Sequence, residues 1–307
     1  MRPILLIFCV FLSACGSTPT ADPVTGTSYR VYFLGGQSNM VGYGHTADLA
    51  PQWTTQRSSI RIFGGMPVPD GDDGGGVGIW APLQPGFGVG FESDGITNRL
   101  SDRFGPELSF GIRIAELNPG AEIAIVKYAR GGSSLALDAP NYGTWDPDYN
   151  DGNGRNQYDN ALTAISRAMA ATDIDGDGYP DRLVPAALIW MQGESDAIER
   201  GPATDYRQNL RRMMNLLRAS LRVDDLPVVI GRITDSGMDD DGQVMEYIQL
   251  VQDAQSAYVA GDTCAAYVTE IDDYQHSKDA WHYTSDAYVR MGIAFAESVY
   301  ELEKTCE

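Results

Sequence analysis

Apolar and polar positions alternate between strand-like and helix-like patterns from about residue 28 onward. Short runs rich in Val, Ile and Tyr predict strands, and several are apolar throughout, as strands covered on both faces should be. The predicted strands span 29–34, 122–128, 184–191, 227–233 and 265–269. Apolar residues at three- and four-residue spacing predict helices over 107–117, 158–171, 204–221, 243–260 and 285–304. This alternation predicts one three-layer α/β/α domain with about five parallel strands.

Two long segments, 45–103 and 138–157, interrupt the alternation. Both are rich in Gly and Asp, and the first contains one brief strand-like run at 60–63. Long loops in a compact domain are usually functional or disordered. Because both segments follow strands, we expect them to form walls of a substrate cleft. Aromatic residues of the second segment either stack on a sugar or anchor the loop; they are Tyr142, Trp145 and Tyr149.

The N-terminus has the pattern of an export segment. Arg2 precedes an apolar stretch over 4–12 that is too short to span a bilayer. The sequence at 12–16 resembles a bacterial lipobox, which implies cleavage before Cys15 and lipid attachment to it. The alternative is a plain signal peptide with an incidental cysteine. We therefore expect a signal peptide at 1–14, a lipidated tether at 15–27 and a hydrolase domain at 28–307, in an exported bacterial lipoprotein that faces the periplasm or the cell exterior.

The balance of charge narrows the class of partner. The chain has 42 acidic and 22 basic residues, a formal net charge of -20, which argues against nucleic acid as a partner. Of its 4 cysteines, Cys9 and Cys15 belong to the export segment. The remaining two, Cys264 and Cys306, are predicted to form a disulfide between the last strand and the last helix, because exported proteins favour paired thiols.

A serine and a histidine–aspartate pair carry the candidate chemistry. Ser38 follows the first predicted strand after two glycines, where a tight turn can expose its hydroxyl. A serine becomes a nucleophile when a positioned base takes its proton and a third group orients that base. His282 and Asp279, three residues apart before the last helix, can supply both roles from one loop. Met40 stands where a G-x-S-x-G elbow has its last glycine, so the serine is not that of an α/β-hydrolase.

Two further strand ends offer hydrogen-bond donors for the oxyanion of an attacked ester. Gln192 follows the third predicted strand with a side-chain amide, and Gly132 follows the second with a backbone N–H that a ligand can approach. Together with the N–H of Ser38, these groups are the predicted oxyanion hole.

Five sequence blocks together resemble the sialate O-acetylesterase (SASA) type of carbohydrate esterase, in the SGNH hydrolase superfamily. The blocks are GQSNM at 36–40, GPE at 105–107, ARGGS at 129–133, WMQGESD at 190–196 and DAWHY at 279–283. The resemblance implies a flavodoxin-like α/β/α fold and removal of acetyl groups from sugars without a cofactor. By position, Ser38 matches the family nucleophile, His282 the base and Asp279 its partner. Gly132 and Gln192 match the oxyanion-hole positions.

An acidic turn at 172–181 stands outside the family pattern. Asp173, Asp175 and Asp177 stand at alternate positions around glycines, and Asp181 follows four residues later, as in loops whose carboxylates wrap a calcium ion. The turn is not an EF-hand, because Val184 occupies the position of the twelfth-residue glutamate. We expect a structural calcium site remote from Ser38, at the opposite end of the sheet.

The sequence thus predicts a lipid-anchored carbohydrate O-acetylesterase that acts through Ser38, His282 and Asp279. Its expected partners are an acetylated carbohydrate and, through the lipid, a membrane. A second hypothesis is a calcium-dependent glycan-binding surface lipoprotein that keeps the fold without turnover. The presence of the whole set of Ser, His, Asp and Gln favours the enzyme, because a binding protein does not need a triad.

Overall fold

The computed structural model describes residues 26–69, 72, 74–137, 142–149 and 156–306. The predicted signal peptide and Cys15 lie outside these residues, as does most of the predicted tether. In the described part, the long helices are α2 to α6 and the long strands are those of the central sheet. The strands are β1 (Ser28–Gly36), β2 (Gly44–His45), β3 (Arg57–Gly64), β4 (Trp80–Leu83), β5 (Glu92–Ser93), β6 (Asn98–Arg99), β7 (Arg103–Phe104), β8 (Glu122–Ala129), β9 (Arg182–Met191), β10 (Val228–Gly231) and β11 (Ala265–Val268). The helices are α1 (Ser38–Val41), α2 (Glu107–Leu117), α3 (Gln157–Ala170), α4 (Arg200–Leu221), α5 (Ile248–Ala260) and α6 (Ser285–Glu303).

The central sheet has seven strands in the order β11-β10-β9-β1-β8-β3-β4. Strand β1 lies in the middle and pairs in parallel with β8 and β9. Every other pair is also parallel except β3 with β4 at the edge. The five predicted strands are confirmed as the block from β11 to β8. Strands β3 and β4 come from the segment 45–103 that the sequence marked as a loop, and β3 contains the brief run at 60–63.

Two groups of helices cover the sheet. Helix α2 packs against α6, while α4 packs against α5 and also contacts α3. The expected three-layer α/β/α architecture is confirmed, with an antiparallel edge strand added. The middle strands read as continuous apolar runs because both faces are covered, and residues such as Tyr32 and Leu188 are fully buried.

Caps fix the ends of two helices. Thr284 caps the N-terminus of α6 by accepting a hydrogen bond from the N–H of Ala287. Asn156 begins α3 in the same way through the N–H of Asp159. At the other end of α6, a disulfide joins Cys306 to Cys264, which directly precedes β11, with Cα atoms 5.3 Å apart. Within the described residues, no helix combines the length and apolarity that a membrane span requires.

Candidate active site

Ser38 lies at the carboxyl end of the central strand. At Gly36 the backbone φ is +146°, and a Cβ there would lie 1.9 Å from the carbonyl oxygen of Met191. Glycine therefore allows β1 to end against β9, where the N–H of Gln37 donates to the same carbonyl at 2.9 Å. The chain then turns into the short helix α1, whose first residue is Ser38. Its side chain is buried among protein atoms on one side and lines a cavity of about 650 Å³ on the other.

His282 lines the same cavity and is held by Asp279. The Nδ1 atom of His282 lies 2.7 Å from Oδ2 of Asp279, which leaves Nε2 as the ring nitrogen free for proton transfer. The other carboxylate oxygen accepts the N–H groups of Trp281 at 3.0 Å and His282 at 2.9 Å. Between the pair, Ala280 has a φ of +66°, a conformation that costs backbone energy and is typical of functional turns. The ring of His282 also stacks on Tyr43, with centroids 3.6 Å apart.

Opposing effects act on the pKa of Asp279. Partial burial raises it, but the hydrogen bonds from His282 and from the backbone N–H groups of His282 and Trp281 lower it further, to about 2. Asp279 is therefore a carboxylate at any pH at which an esterase is assayed, and it can stabilise a positively charged imidazole.

Asn39 joins the serine turn to the histidine loop. Its Nδ2 donates to the carbonyl oxygen of Trp281 at 3.1 Å and to Oε1 of Glu194 at 2.7 Å. Its Oδ1 accepts the hydroxyl of Tyr288 at 2.7 Å. Because Asn39 follows Ser38 and Trp281 precedes His282, this buried amide fixes the spacing of two residues that lie far apart in sequence.

The turn after β8 offers backbone donors. Gly131 and Gly132 line the cavity, and the φ of Gly132 is +72°. A Cβ on Gly131 would lie 3.6 Å from Cβ of Ser38, so the glycine backbone lies against the serine. In the described part of the chain, the N–H groups of Ser38, Gly131 and Gly132 donate no hydrogen bond. These three groups are the available backbone donors for an oxyanion.

Of the three predicted oxyanion-hole residues, Ser38 and Gly132 line the cavity and Gln192 does not. Its side chain is fully buried. Its Nε2 donates to Oδ2 of Asp196 at 2.6 Å, and two further acceptors surround the same nitrogen, the carbonyl oxygen of Ser133 at 3.2 Å and Oε1 of Gln37 at 3.3 Å. The hydroxyl of Tyr206 donates to its Oε1 at 3.1 Å. Because its amide makes these hydrogen bonds within the protein, Gln192 stabilises the end of β9 and does not reach a substrate in the cavity.

The two acids of the same block, Glu194 and Asp196, are buried beneath the site. Asp196 accepts the N–H groups of Leu135 and Ala136, which anchors the turn after β8 to the end of β9. Burial raises the pKa of Glu194 to about 7 and that of Asp196 to about 6, although hydrogen bonds oppose the change in both. The sequence marked these acids without assigning a role, because neither their burial nor their partners could be read from spacing.

A second buried pair forms part of the cavity floor. Nζ of Lys127 lies 2.6 Å from Oε2 of Glu107 and also donates to the carbonyl oxygens of Val41 and Phe87. The other oxygen of Glu107 accepts the N–H of Gly105. All three protons of the ammonium group are thus used within the protein, so Lys127 has none left for an anionic substrate. This contact explains the role of the GPE block at 105–107.

The long segment 45–103 forms one wall of the cavity, as expected. Its contribution is more apolar than its composition suggested, because Met66, Phe87, Val89 and Phe91 line the cavity beside the glycines and Glu92. Two aromatic residues of the second segment lie in different surroundings. Tyr142 lines the cavity, whereas Trp145 is fully buried and donates to Oγ of Ser133 at 3.0 Å, as an anchor.

Comparison with known protein families shows to which family the chain belongs. Residues 28–301 match the family model described as carbohydrate esterase, sialic acid-specific acetylesterase. The chain belongs to this SASA family of carbohydrate esterases. A probable carbohydrate esterase from Arabidopsis thaliana is 22% identical over 282 residues, which cover 88% of this chain and 89% of the relative.

Solved structures share the fold. An X-ray structure of an Arabidopsis thaliana protein superposes with a TM-score of 0.63 at 19% identity, covering 89% of this chain and 98% of that one. The structure of NanS gives 0.56 at 15% identity, covering 91% and 98%. A carbohydrate acetylesterase from Xanthomonas citri gives 0.56 at 20% identity and covers 89% of this chain but 57% of that one. The mainly parallel sheet flanked by helices is therefore the fold of known esterases of this type.

The acidic turn lies at the other end of this esterase fold. Oxygen atoms of Asp173, Asp175 and Asp177 lie within 4.8 Å of one another, so these three side chains could hold a metal ion. The fourth predicted ligand, Asp181, accepts the N–H groups of Thr27 at 3.0 Å and Ile174 at 2.7 Å and thereby closes the turn. Because Thr27 precedes β1 and Ser38 follows it, the turn and the cavity lie at opposite ends of the strand.

Proposed function

We propose that the chain is a carbohydrate O-acetylesterase in which Ser38 is the nucleophile, His282 the general base and Asp279 the group that orients it. The observation that supports this most is the pairing of His282 with Asp279 at 2.7 Å on the wall of the cavity that Ser38 also lines. Membership of the SASA family supports the acetyl ester as the bond that is cleaved.

The proposed reaction proceeds through an acetyl-enzyme. Oγ of Ser38 attacks the acetyl carbonyl carbon while its proton passes to Nε2 of His282, and the carbonyl oxygen becomes an oxyanion facing the N–H groups of Ser38 and Gly132. Collapse of the tetrahedral intermediate breaks the bond to the sugar oxygen, which takes the proton from His282. Water then gives its proton to His282 and attacks the acetyl group, releasing acetate and restoring Ser38. Asp279 stabilises the imidazolium at each of these steps.

The walls of the cavity favour a sugar ester. Tyr43, Tyr142 and Trp281 line it, and aromatic rings can pack on the apolar face of a sugar. The Arabidopsis relative is described as a probable carbohydrate esterase and the Xanthomonas citri protein as a carbohydrate acetylesterase, which supports the same class of substrate.

A screen for acetate release from a panel of acetylated glycans tests this proposal. We expect the wild-type protein to release acetate from at least one glycan of the panel. The Ser38→Ala variant should have the same melting temperature as the wild type and release no acetate. The alternative of a non-catalytic glycan-binding lipoprotein predicts sugar binding that chelation abolishes and no acetate from any member. Turnover that survives the substitution would contradict the role of Ser38.

We also propose that the mature chain is attached to a bacterial membrane through lipid on Cys15. Support comes from the lipobox-like sequence at 12–16. When the full-length chain is expressed in a bacterial host that processes lipoproteins, it should partition into detergent. The Cys15→Ser variant should stay in the aqueous phase. If the wild type stays in the aqueous phase as the variant does, the N-terminus is a plain signal peptide instead.

Calcium binding by Asp173, Asp175 and Asp177 is our third proposal. Three carboxylates at this spacing repel one another unless water or a cation separates them. Asp181 lies outside this group of three and closes the turn by accepting the N–H groups of Thr27 and Ile174.

A further inference from the structure

The side chain of Gln37 lies between the nucleophile and the end of β9. It is 3% exposed, and its Oε1 faces three donors, namely the N–H groups of Gly193 and Ser195 and Nε2 of Gln192, each at 3.3 Å. Three donors around one atom determine which end of the amide is oxygen, because the reverse placement would bring N–H groups against N–H groups. The oxygen of Gln37 is thus directed into the protein.

The nitrogen of the same amide has no such partner. Among the described residues, Nε2 of Gln37 donates no hydrogen bond, although the residue is almost completely buried. Gln37 lines the cavity directly beside Ser38, together with Gly132 and Ser195. Nε2 is not among the fully buried side-chain atoms that lack a partner, so it opens onto the cavity, where a bound ligand or a water can accept its hydrogen bond.

We propose that Gln37, and not Gln192, supplies the side-chain amide that donates a hydrogen bond to the reacting ester oxygen. This inference rests on the proposed esterase function and adds a catalytic residue to it. The donor set is then Nε2 of Gln37 with the backbone N–H groups of Ser38 and Gly132. Gln192 acts one step further away, because its own amide donates to Asp196 and to the oxygen of Gln37.

The Gln37→Glu variant separates the two ends of the amide. Glutamate keeps an oxygen for the N–H groups of Gly193 and Ser195 but lacks the donor. We expect kcat to fall by about 100-fold or more, with KM changed only slightly, because an oxyanion donor acts in the transition state. The affinity for a boronic acid, which forms a negatively charged tetrahedral adduct with Ser38, should fall by a similar factor. The melting temperature should fall, because a carboxylate replaces a neutral amide at an almost completely buried position, so kcat and affinity are compared per folded enzyme.

The reciprocal variant is Gln192→Met, which removes the amide that the family comparison would place in the oxyanion hole. We expect it to lower the melting temperature, because Asp196 loses a partner, while kcat per folded enzyme and boronic acid affinity stay within a few-fold of wild type. If this variant loses about 100-fold in boronic acid affinity while folded, the inference is overturned.

A folded Gln37→Glu enzyme with wild-type kcat would also overturn the inference, whatever the result for Gln192→Met. Failure of the esterase proposal has a different signature. In that case the wild-type protein releases no acetate and the Ser38→Ala substitution changes nothing, whereas failure of this inference leaves an active, Ser38-dependent enzyme.

Discussion

Glu194 shows how a single residue can position a site without touching the substrate. One of its oxygens accepts the amide of Asn39, which in turn holds the carbonyl of Trp281 beside His282. The other oxygen is buried without a hydrogen-bond partner among the described residues. A carboxyl group in this setting favours its neutral form, because ionisation would place an uncompensated charge in the interior.

This burial makes the stability of the protein depend on pH. The folded state raises the pKa of Glu194 from 4.5 to about 7, so it binds the proton more tightly than the unfolded state does. The stabilisation is fully present below pH 4.5 and is lost as the pH rises through about 7. A shift of this size corresponds to a free energy on the order of 3 kcal/mol.

The Glu194→Gln variant should therefore lose less stability than the wild type between about pH 5 and about pH 8. Urea unfolding at several pH values measures the free energy of unfolding of each. Replacing the exposed Glu199 with Gln is the matched control and should leave the slope unchanged. Identical slopes for the wild type and Glu194→Gln would show that Glu194 does not titrate in this way.

At the scale of single residues, the sequence predicted the types of the candidate site residues better than it predicted the directions of their side chains. Ser38, His282 and Asp279 could be found because each follows the end of a strand or precedes a helix, and such positions meet at one edge of a parallel sheet. The direction of Gln192 could not be found in this way. It depends on Asp196 and Tyr206, whose positions are set by packing rather than by spacing in the chain.

Among the elements, the five strands with continuous apolar runs and the five long helices were predicted with bounds close to those observed. Strand β3 and the edge strand β4 were not predicted as part of the sheet. Arg57, Ser58 and Ser59 begin β3 with polar side chains, and Pro82 lies in β4, which proline tolerates because it is an edge strand. Edge strands carry a weak sequence signal, since part of each faces solvent.

The disulfide links the last two elements of the fold. Cys264 and Cys306 are 42 residues apart in sequence and connect the start of β11 to the end of α6. Closing a loop of this length should stabilise the fold by about 4 kcal/mol through restriction of the unfolded chain. The double variant Cys264→Ala, Cys306→Ala should unfold at a lower urea concentration than the oxidised wild type.

Adding a reductant supplies the control for that comparison. It should lower the midpoint of the wild type to that of the double variant and leave the double variant unchanged. If the reductant has no effect on the wild type, the thiols are not paired in the folded protein.

Across the whole molecule, the acidic turn and the cavity lie at opposite ends of β1. This strand has nine residues, which places the two sites roughly 30 Å apart. Binding of a cation at the turn should therefore stabilise the fold without altering the chemistry. Membership of the esterase family says nothing about this turn, which stands outside the blocks that match the family pattern.

We expect calcium to raise the melting temperature of the wild type and a chelator to lower it, with kcat for acetate release unchanged after correction for folded protein. The Asp177→Asn variant retains an oxygen for the N–H of Tyr179 but loses a charge, so its melting temperature should respond less to calcium. The exposed Asp224→Asn variant should respond like the wild type. A calcium response that Asp177→Asn leaves intact would place the ion elsewhere.

The central claim is that Ser38 carries the acetyl group during turnover. Rapid quenching of the wild-type enzyme with an acetyl ester, followed by digestion and mass spectrometry, measures this directly. We predict an added acetyl group on the peptide that contains Ser38, and none on that peptide in the Ser38→Ala variant. Turnover with an unmodified Ser38 peptide, or with the acetyl group on another residue, would contradict the account.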